Sequence, residues 1–185
     1  MSKKLSKGYI QVYTGDCKGK TTAALGLGFR AVGHGFKVHM IQFMKGKGTN
    51  KMGWQEYGEW MASKKFGSDF IIEPYGRPEF VNPNNPKQID IELASQAVKR
   101  ALQIEKDNLV DILVLDEINV AYAFKLISLE NLMNIIDNKP KNMEIIFTGR
   151  GAPGELIEKA NLVTEMKEIK HYYYEGIDAR EGIEF

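Results

Sequence analysis

Apolar positions along the chain fall into two rhythms. Short runs rich in β-branched and aromatic residues have the length and content of strands: Tyr9-Ile-Gln-Val-Tyr13, Lys37-Val-His-Met-Ile-Gln-Phe43, Ile112-Leu-Val-Leu115, Glu144-Ile-Ile-Phe-Thr148 and Leu162-Val-Thr-Glu-Met166. Ile112 to Leu115 is apolar without interruption, as a strand buried on both faces of a parallel sheet requires. Between these runs the spacing changes to three and four. Thr21 to Val32, rich in Ala and Leu, predicts a helix ended by the Gly33-His-Gly35 turn. Pro86 to Lys106 predicts an amphipathic helix whose apolar stripe is Ile89, Leu93, Ala97, Ala101 and Ile104, with proline near its start. Leu129 to Ile136, capped by Ser128, and Pro153 to Lys159 are shorter candidates. Strands alternating with helices predict an open, mainly parallel α/β sheet with right-handed crossovers.

One stretch resists this reading. From Lys45 to Pro86, Gly, Lys, Asn and Pro interrupt any period, and only Asp69-Phe-Ile-Ile-Glu73 has the look of a short strand. A segment this irregular inside a compact domain predicts a functional loop or lid over residues 47–86. With 185 residues, 43% of them hydrophobic and 26% charged, the chain is expected to form a single domain over residues 1–185. A formal net charge of +1 gives no electrostatic footprint for nucleic acid or for an acidic membrane, so an anion site has to be local. Cys17 is the single cysteine, which excludes an internal disulfide and a Cys-rich zinc site. No run approaches the roughly 20 apolar residues that cross a bilayer, and the polar start Met1 to Lys7 does not read as a secretory signal. The expected compartment is the cytoplasm.

The chemistry concentrates where strands end. Gly15-Asp-Cys-Lys-Gly19-Lys20-Thr21-Thr22 follows a strand and opens a helix, which is where a phosphate loop sits. Backbone N–H groups of Gly15, Asp16, Cys17, Lys18 and Gly19 would face phosphate oxygens, Lys20 would add a mobile positive charge, and the hydroxyl of Thr21 or Thr22 would reach a metal ion. The loop is one residue shorter than G-x-x-x-x-G-K-[ST], so the hydrolytic geometry of ordinary P-loop ATPases does not carry over. Asp16 would repel a polyphosphate unless its side chain turns outward or meets a cation. Asp116-Glu117 closes the apolar run at the carboxyl end of its strand, a Walker B arrangement suited to Mg²⁺ or Mn²⁺. Thr148-Gly-Arg150-Gly-Ala-Pro153 brings Arg150 out at the same edge as a phosphate clamp. Spacing leaves Arg30 open between a surface and a ligand role, and His34, His39 and His171 do not form a metal-ligand pattern.

In this order the motifs resemble the P-loop ATP:corrinoid adenosyltransferases. The resemblance is carried by the shortened loop Gly15 to Thr22, Arg30-Ala-Val-Gly-His-Gly35, Gln42-Phe-Met-Lys-Gly46, Val114-Leu-Asp-Glu117, Phe147-Thr-Gly-Arg-Gly-Ala-Pro153, Val163-Thr-Glu-Met166 and Gly176 to Phe185. It implies a P-loop NTPase-like (RecA-like) fold with helices on both faces of the sheet. It also implies transfer of the 5′-deoxyadenosyl group of ATP to the Co(I) of a reduced corrinoid, with release of triphosphate. Lys20 and Arg150 would then be catalytic, the loop and Arg30 would bind ATP, and Thr21, Glu117 and Asp116 would serve the metal. A homodimer and an electron donor such as flavodoxin are further implications. The family's aromatic Gly-Phe-Thr-Trp segment, which faces the corrinoid, is not recognisable; Phe80 in Arg77-Pro-Glu-Phe-Val81 is the nearest counterpart, with Trp54 and Trp60 as alternatives. Two other readings share parts of the pattern: a phosphotransferase or ATPase, and a nucleotide- or corrinoid-binding module without turnover.

Overall fold

In a computed structural model, residues 4–46 and 57–185 are described. Among the described residues six strands form one sheet: β1 (Ile10–Thr14), β2 (Val38–Phe43), β3 (Phe70–Tyr75), β4 (Ile112–Asp116), β5 (Glu144–Thr148) and β6 (Leu162–Glu165). The order across the sheet is β3-β2-β4-β5-β1-β6 and every pairing is parallel. Six α-helices accompany them: α1 (Lys20–Gly33), α2 (Gly58–Ser63), α3 (Gln88–Asp107), α4 (Ile118–Ala123), α5 (Leu129–Asn138) and α6 (Gly154–Lys159). None is long and apolar enough to cross a membrane.

The strand period divides the core into two layers. Along β2, Met40 packs with Ala24 and Ala31 of α1, whereas its neighbours Ile41 and Phe43 pack with α3 and α4 on the other face. Every residue of β2 and β4 is buried, as the uninterrupted apolar run predicts for central strands. Burying side chains such as Phe43, Leu113, Leu115 and Phe147 stabilises the fold by about 1.5–3 kcal/mol each.

Most boundaries follow the sequence period. Gly35, at φ +80°, takes the left-handed turn after α1, and Ser128 caps α5 by accepting the N–H of Asn131 at 3.2 Å. The stripe of α3 differs from the expected one. Ile89 is exposed, and Ala94 and Val98 are buried together with Ala97, Ala101 and Ile104. Alanines let this helix approach the sheet and α5 closely, so the contact face is set by small side chains rather than by the largest apolar ones.

The irregular stretch contains more regular structure than its sequence suggests. Phe70–Tyr75 forms an edge strand on β2, and Gly58–Ser63 forms a short helix. Trp60 packs against the α1-side core, and Lys64 Nζ lies 3.5 Å from the centre of its ring. Trp60 therefore belongs to the packed body, and Trp54 lies outside the described residues. Phe80 is 64% exposed, in the loop between β3 and α3.

Candidate functional site

The carboxyl ends of β1, β2, β4 and β5 surround one cavity of about 700 Å³. Its floor is the loop between β1 and α1. Gly15, at φ +97°, opens the loop, and a Cβ there would lie 2.5 Å from the carbonyl oxygen of Met166. Gly19, at φ +120°, closes it, a conformation that side chains rarely adopt. The loop is braced from outside: Cys17 N–H donates to Met166 O at 3.0 Å, and Met166 N–H donates to Thr14 O at 2.8 Å.

Lys20 stands at the first position of α1 with its ammonium turned back on the loop, donating to the carbonyls of Gly15 and Cys17, both at 2.7 Å. Burial lowers its pKa, an effect opposed by the Glu117 carboxylate. Thr21 Oγ1 donates to Asp116 Oδ1 at 2.8 Å, and Thr148 Oγ1 donates to the same oxygen at 2.7 Å. Gln42 Nε2 donates to Asp116 Oδ2 at 3.3 Å, and Lys45 Nζ lies 3.0 Å from it. Burial alone would raise the Asp116 pKa, but Lys45 and the two hydroxyls hold it below the usual carboxylate range. Next to it, Glu117 adopts φ +62° and its N–H donates to Thr148 Oγ1 at 3.0 Å. Burial and the adjacent Asp116 charge push the Glu117 carboxyl up, opposed by the charges of Lys45, Lys20 and Arg150.

Most of the residues expected from sequence converge here. Cys17, Lys18, Gly19, Lys20, Thr21, Thr22, Glu117 and Arg150 all line the cavity. Arg150 follows Gly149, whose φ of +125° and buried position against Val120 and Asn119 require the absence of a side chain. Asp16 is exposed and does not line the cavity, so its carboxylate meets water rather than the phosphate site. Arg30 is not brought to the site within this chain. It lies ten residues beyond Lys20 on α1, about 15 Å along the axis at 1.5 Å per residue, and is exposed in the last turn. Phe80 and Trp60 do not line the cavity either. His39 is a buried strand residue with Nε2 3.1 Å from Glu73 Oε1, close but not aligned as a hydrogen bond, and burial lowers its pKa.

Other lining residues were given no role from the sequence, although Lys45 stands in Gln42-Phe-Met-Lys-Gly46 and the last residues in Gly176 to Phe185. Lys45, Tyr57 and Glu59 form the wall beside β2, with Lys45 Nζ 3.2 Å from Glu59 Oε1 and 4.9 Å from the Tyr57 ring centre. Burial would lower the Lys45 pKa, but the Asp116 and Glu59 carboxylates outweigh it and keep the ammonium charged. The last residues form the facing wall: Lys18 Nζ donates to Ile183 O at 2.7 Å, and Glu184 accepts from Tyr172 Oη and from the N–H of Arg180. The sequence signal for Lys45 was its place just beyond a buried strand, at the edge where the phosphate loop also ends.

A metal ion is a test of this geometry. Among the described residues no group of three or more His, Cys, Asp or Glu side chains comes together to hold one. Thr21, Glu117 and Asp116 nevertheless offer the oxygen donors that a hard cation takes, and such an ion completes its shell with phosphate oxygens and water. Four donors already fill Asp116, so it fits a role through water or through the Thr21 hydroxyl rather than direct ligation.

A shortened phosphate loop, an acidic strand end and an arginine on one cavity match a known family over residues 6–185, the family described as ATP:corrinoid adenosyltransferase BtuR/CobO/CobP. The chain belongs to this family. The match includes the divergent stretch that carries none of the shared motifs. A corrinoid adenosyltransferase of Pseudomonas aeruginosa is 35% identical over 179 residues, covering 97% of this chain and 84% of that protein. Corrinoid adenosyltransferases of Escherichia coli and Salmonella typhimurium are each 32% identical over 179 residues, with 97% and 86% covered. Among solved structures, the flagellar accessory protein FlaH from Methanocaldococcus jannaschii superimposes with a TM-score of 0.55 at 12% identity, covering 87% of this chain and 72% of that one. A KaiC-like protein from Pyrococcus horikoshii gives 0.54 at 15% identity, with 90% and 76% covered. These two likenesses concern the fold, which is P-loop NTPase-like.

Proposed function

We propose that this adenosyltransferase binds the triphosphate of ATP on the loop from Gly15 to Thr22 and presents the ribose carbon to a reduced corrinoid at the open side of the cavity. The observation that carries the reading is the convergence of Lys20, Thr21, Glu117 and Arg150 on one cavity at the carboxyl edge. In the reaction the Co(I) of the substrate supplies an electron pair to C5′ of the ribose. The bond from C5′ to the triphosphate oxygen breaks, that pair leaves with triphosphate, and cobalt becomes formally Co(III). The chain's part is alignment and charge stabilisation: loop N–H groups, Lys20 and Arg150 neutralise the leaving triphosphate. A Mg²⁺ or Mn²⁺ ion held by Thr21 and Glu117, with Asp116 behind, would add to that neutralisation.

The corrinoid side rests on fewer observations. Phe80 projects from the loop between β3 and α3 at the same edge, and an exposed aromatic face is suited to covering a flat macrocycle. That loop is held by Arg77, whose Nε donates to Asp90 Oδ1 at 2.7 Å and whose Nη2 donates to Asp90 Oδ2 at 3.2 Å. Of the lid expected over residues 47–86, this loop bears the exposed Phe80, while Val81 beside it packs against the core. We further propose a homodimer, a cytoplasmic location and an electron donor such as flavodoxin; a second copy offers a route by which Arg30 reaches a nucleotide site. A single domain over residues 1–185 is consistent with the one sheet and its two core layers.

The test is an anaerobic reaction of the protein with ATP and chemically reduced cobalamin. Appearance of the alkylcobalt spectrum with stoichiometric triphosphate supports the reading. ADP or phosphate without alkylcobalt would instead establish a phosphotransferase or ATPase, and ATP binding without either product a binding module.

A further inference from the structure

The chain leaves β2 in a constrained step. Met44 holds φ +58°, a left-handed conformation costly for a residue with a side chain, and donates its N–H to Tyr75 O at 2.9 Å. Gly46 and Gly76 then let the loops after β2 and β3 touch backbone to backbone: a Cβ on Gly46 would lie 2.3 Å from the Arg77 carbonyl carbon, and one on Gly76 2.4 Å from that of Met44. The outcome is the placement of Lys45, between the constrained residue and the glycine, with its side chain 15% exposed on the cavity wall.

Its ammonium faces two carboxylates, 3.0 Å from Asp116 Oδ2 and 3.2 Å from Glu59 Oε1. Asp116 does not depend on this lysine alone, because Thr21, Thr148 and Gln42 also donate to it. Glu59 receives a hydrogen bond from Gln42 at 2.9 Å, so it too keeps a partner if the lysine turns away. A lysine is a point charge on a flexible stem, able to exchange one set of oxygens for another without rebuilding the wall. Without it, the Glu59 and Glu117 carboxylates that line the cavity would face any polyphosphate on the loop with one cation fewer to offset them.

We propose that Lys45 is a second triphosphate-binding lysine, tethered at the cavity wall by Glu59 and Asp116 and turning to the phosphates when a nucleotide enters. The proposal rests on the reading that the loop from Gly15 to Thr22 holds the triphosphate. It assigns Glu59 a role as well: its carboxylate competes with phosphate for the ammonium and sets how readily the lysine leaves.

Calorimetric titration of the whole protein with inorganic triphosphate, at one fixed Mg²⁺ concentration, tests it. The variants are Lys20→Ala, Lys45→Met, Glu59→Gln and the Lys45→Met/Glu59→Gln double, each checked for folding by circular dichroism. Lys45→Met weakens triphosphate binding at least tenfold, whereas Glu59→Gln tightens it severalfold by releasing the tether. In the Lys45→Met background the tightening by Glu59→Gln shrinks or disappears. Wild-type affinity in folded Lys45→Met overturns the proposal, as does equal tightening with and without the lysine, because Glu59 would then act only through its own charge. If Lys45→Met fails to fold, Glu59→Gln alone decides: unchanged or weakened binding contradicts the tether. Undiminished binding in Lys20→Ala would instead remove the phosphate-loop reading, which separates the two failures.

Discussion

Two carboxylates at opposite ends of the sheet are almost equally buried and live in opposite environments. Asp116, 0% exposed at the carboxyl edge of β4, accepts from two hydroxyls, an amide and an ammonium. Glu105, 2% exposed near the end of α3, has no hydrogen-bond partner for either oxygen among the described residues. Burial acts on both in the same direction. The partners decide the result: Asp116 is held ionised, while the Glu105 carboxyl is pushed up to about 8, with only the charge of Lys139 opposing. The carboxyl edge, where we propose that the triphosphate binds, has its polar groups arranged in advance, and the other edge tolerates a carboxyl that folding prefers protonated.

Breaking the satisfied carboxylate should have the largest effect. Asp116→Ala leaves the buried Thr148 hydroxyl, the half-buried Thr21 hydroxyl and an ammonium without their shared acceptor, and should lower stability by about 3 kcal/mol, read from the urea midpoint. A folded protein with an unchanged midpoint would mean that the network contributes nothing to the fold. Next comes a change at the same edge that spares the fold. Lys20→Ala removes the loop ammonium, and ATP affinity should fall about a hundredfold with little change in melting temperature.

The unsatisfied carboxylate gives a gain. Its folded pKa is raised above the ordinary value, so the folded state binds the extra proton, and its contribution to stability declines as pH rises from about 4.5 to about 8. Glu105→Gln removes that decline and should stabilise the protein at pH 8 and change it little at pH 5. Urea titrations at the two pH values check this, and an equal effect at both would show that charge at Glu105 is not the cause. Asp116 has the opposite sign: its depressed pKa stabilises above about pH 4 and is lost as pH falls further. The smallest change in stability is expected for Glu117→Gln, which keeps the volume and removes a charge that burial and Asp116 already disfavour. The Mg²⁺ concentration needed for half-maximal activity should rise severalfold, and an unshifted metal titration would return Glu117 to a structural role.

The convergence of the loop residues on one cavity was legible in the sequence because their placement is local. Gly15, Gly19, Lys20 and Thr21 are consecutive or nearly so, their conformations are dictated by residue type, and a buried strand before a helix fixes where they point. Asp116, Glu117 and Arg150 were legible for a related reason: an uninterrupted apolar run ends at the edge of a parallel sheet, and the residues just past its end emerge beside the loop. The shortness of the loop is countable from the residues alone. The stripe of α3 was not legible, because the spacing of apolar residues does not say which side a helix of many alanines will press against its neighbours.

Only the tertiary structure decided the rest. Glu59 and Lys45 are fourteen positions apart and meet because β2 and β3 pair and their loops interlock through Gly46 and Gly76. The last four residues reach the phosphate loop from 165 positions away through the Lys18 hydrogen bond to Ile183. The same long-range geometry packed Trp60 against the core and turned Asp16 to water, whereas the rise of α1 alone left Arg30 about 15 Å from Lys20. Residue type and short spacing fix what a segment does to its own backbone, but a salt bridge between distant segments depends on strand pairing and loop contact, which no local pattern encodes.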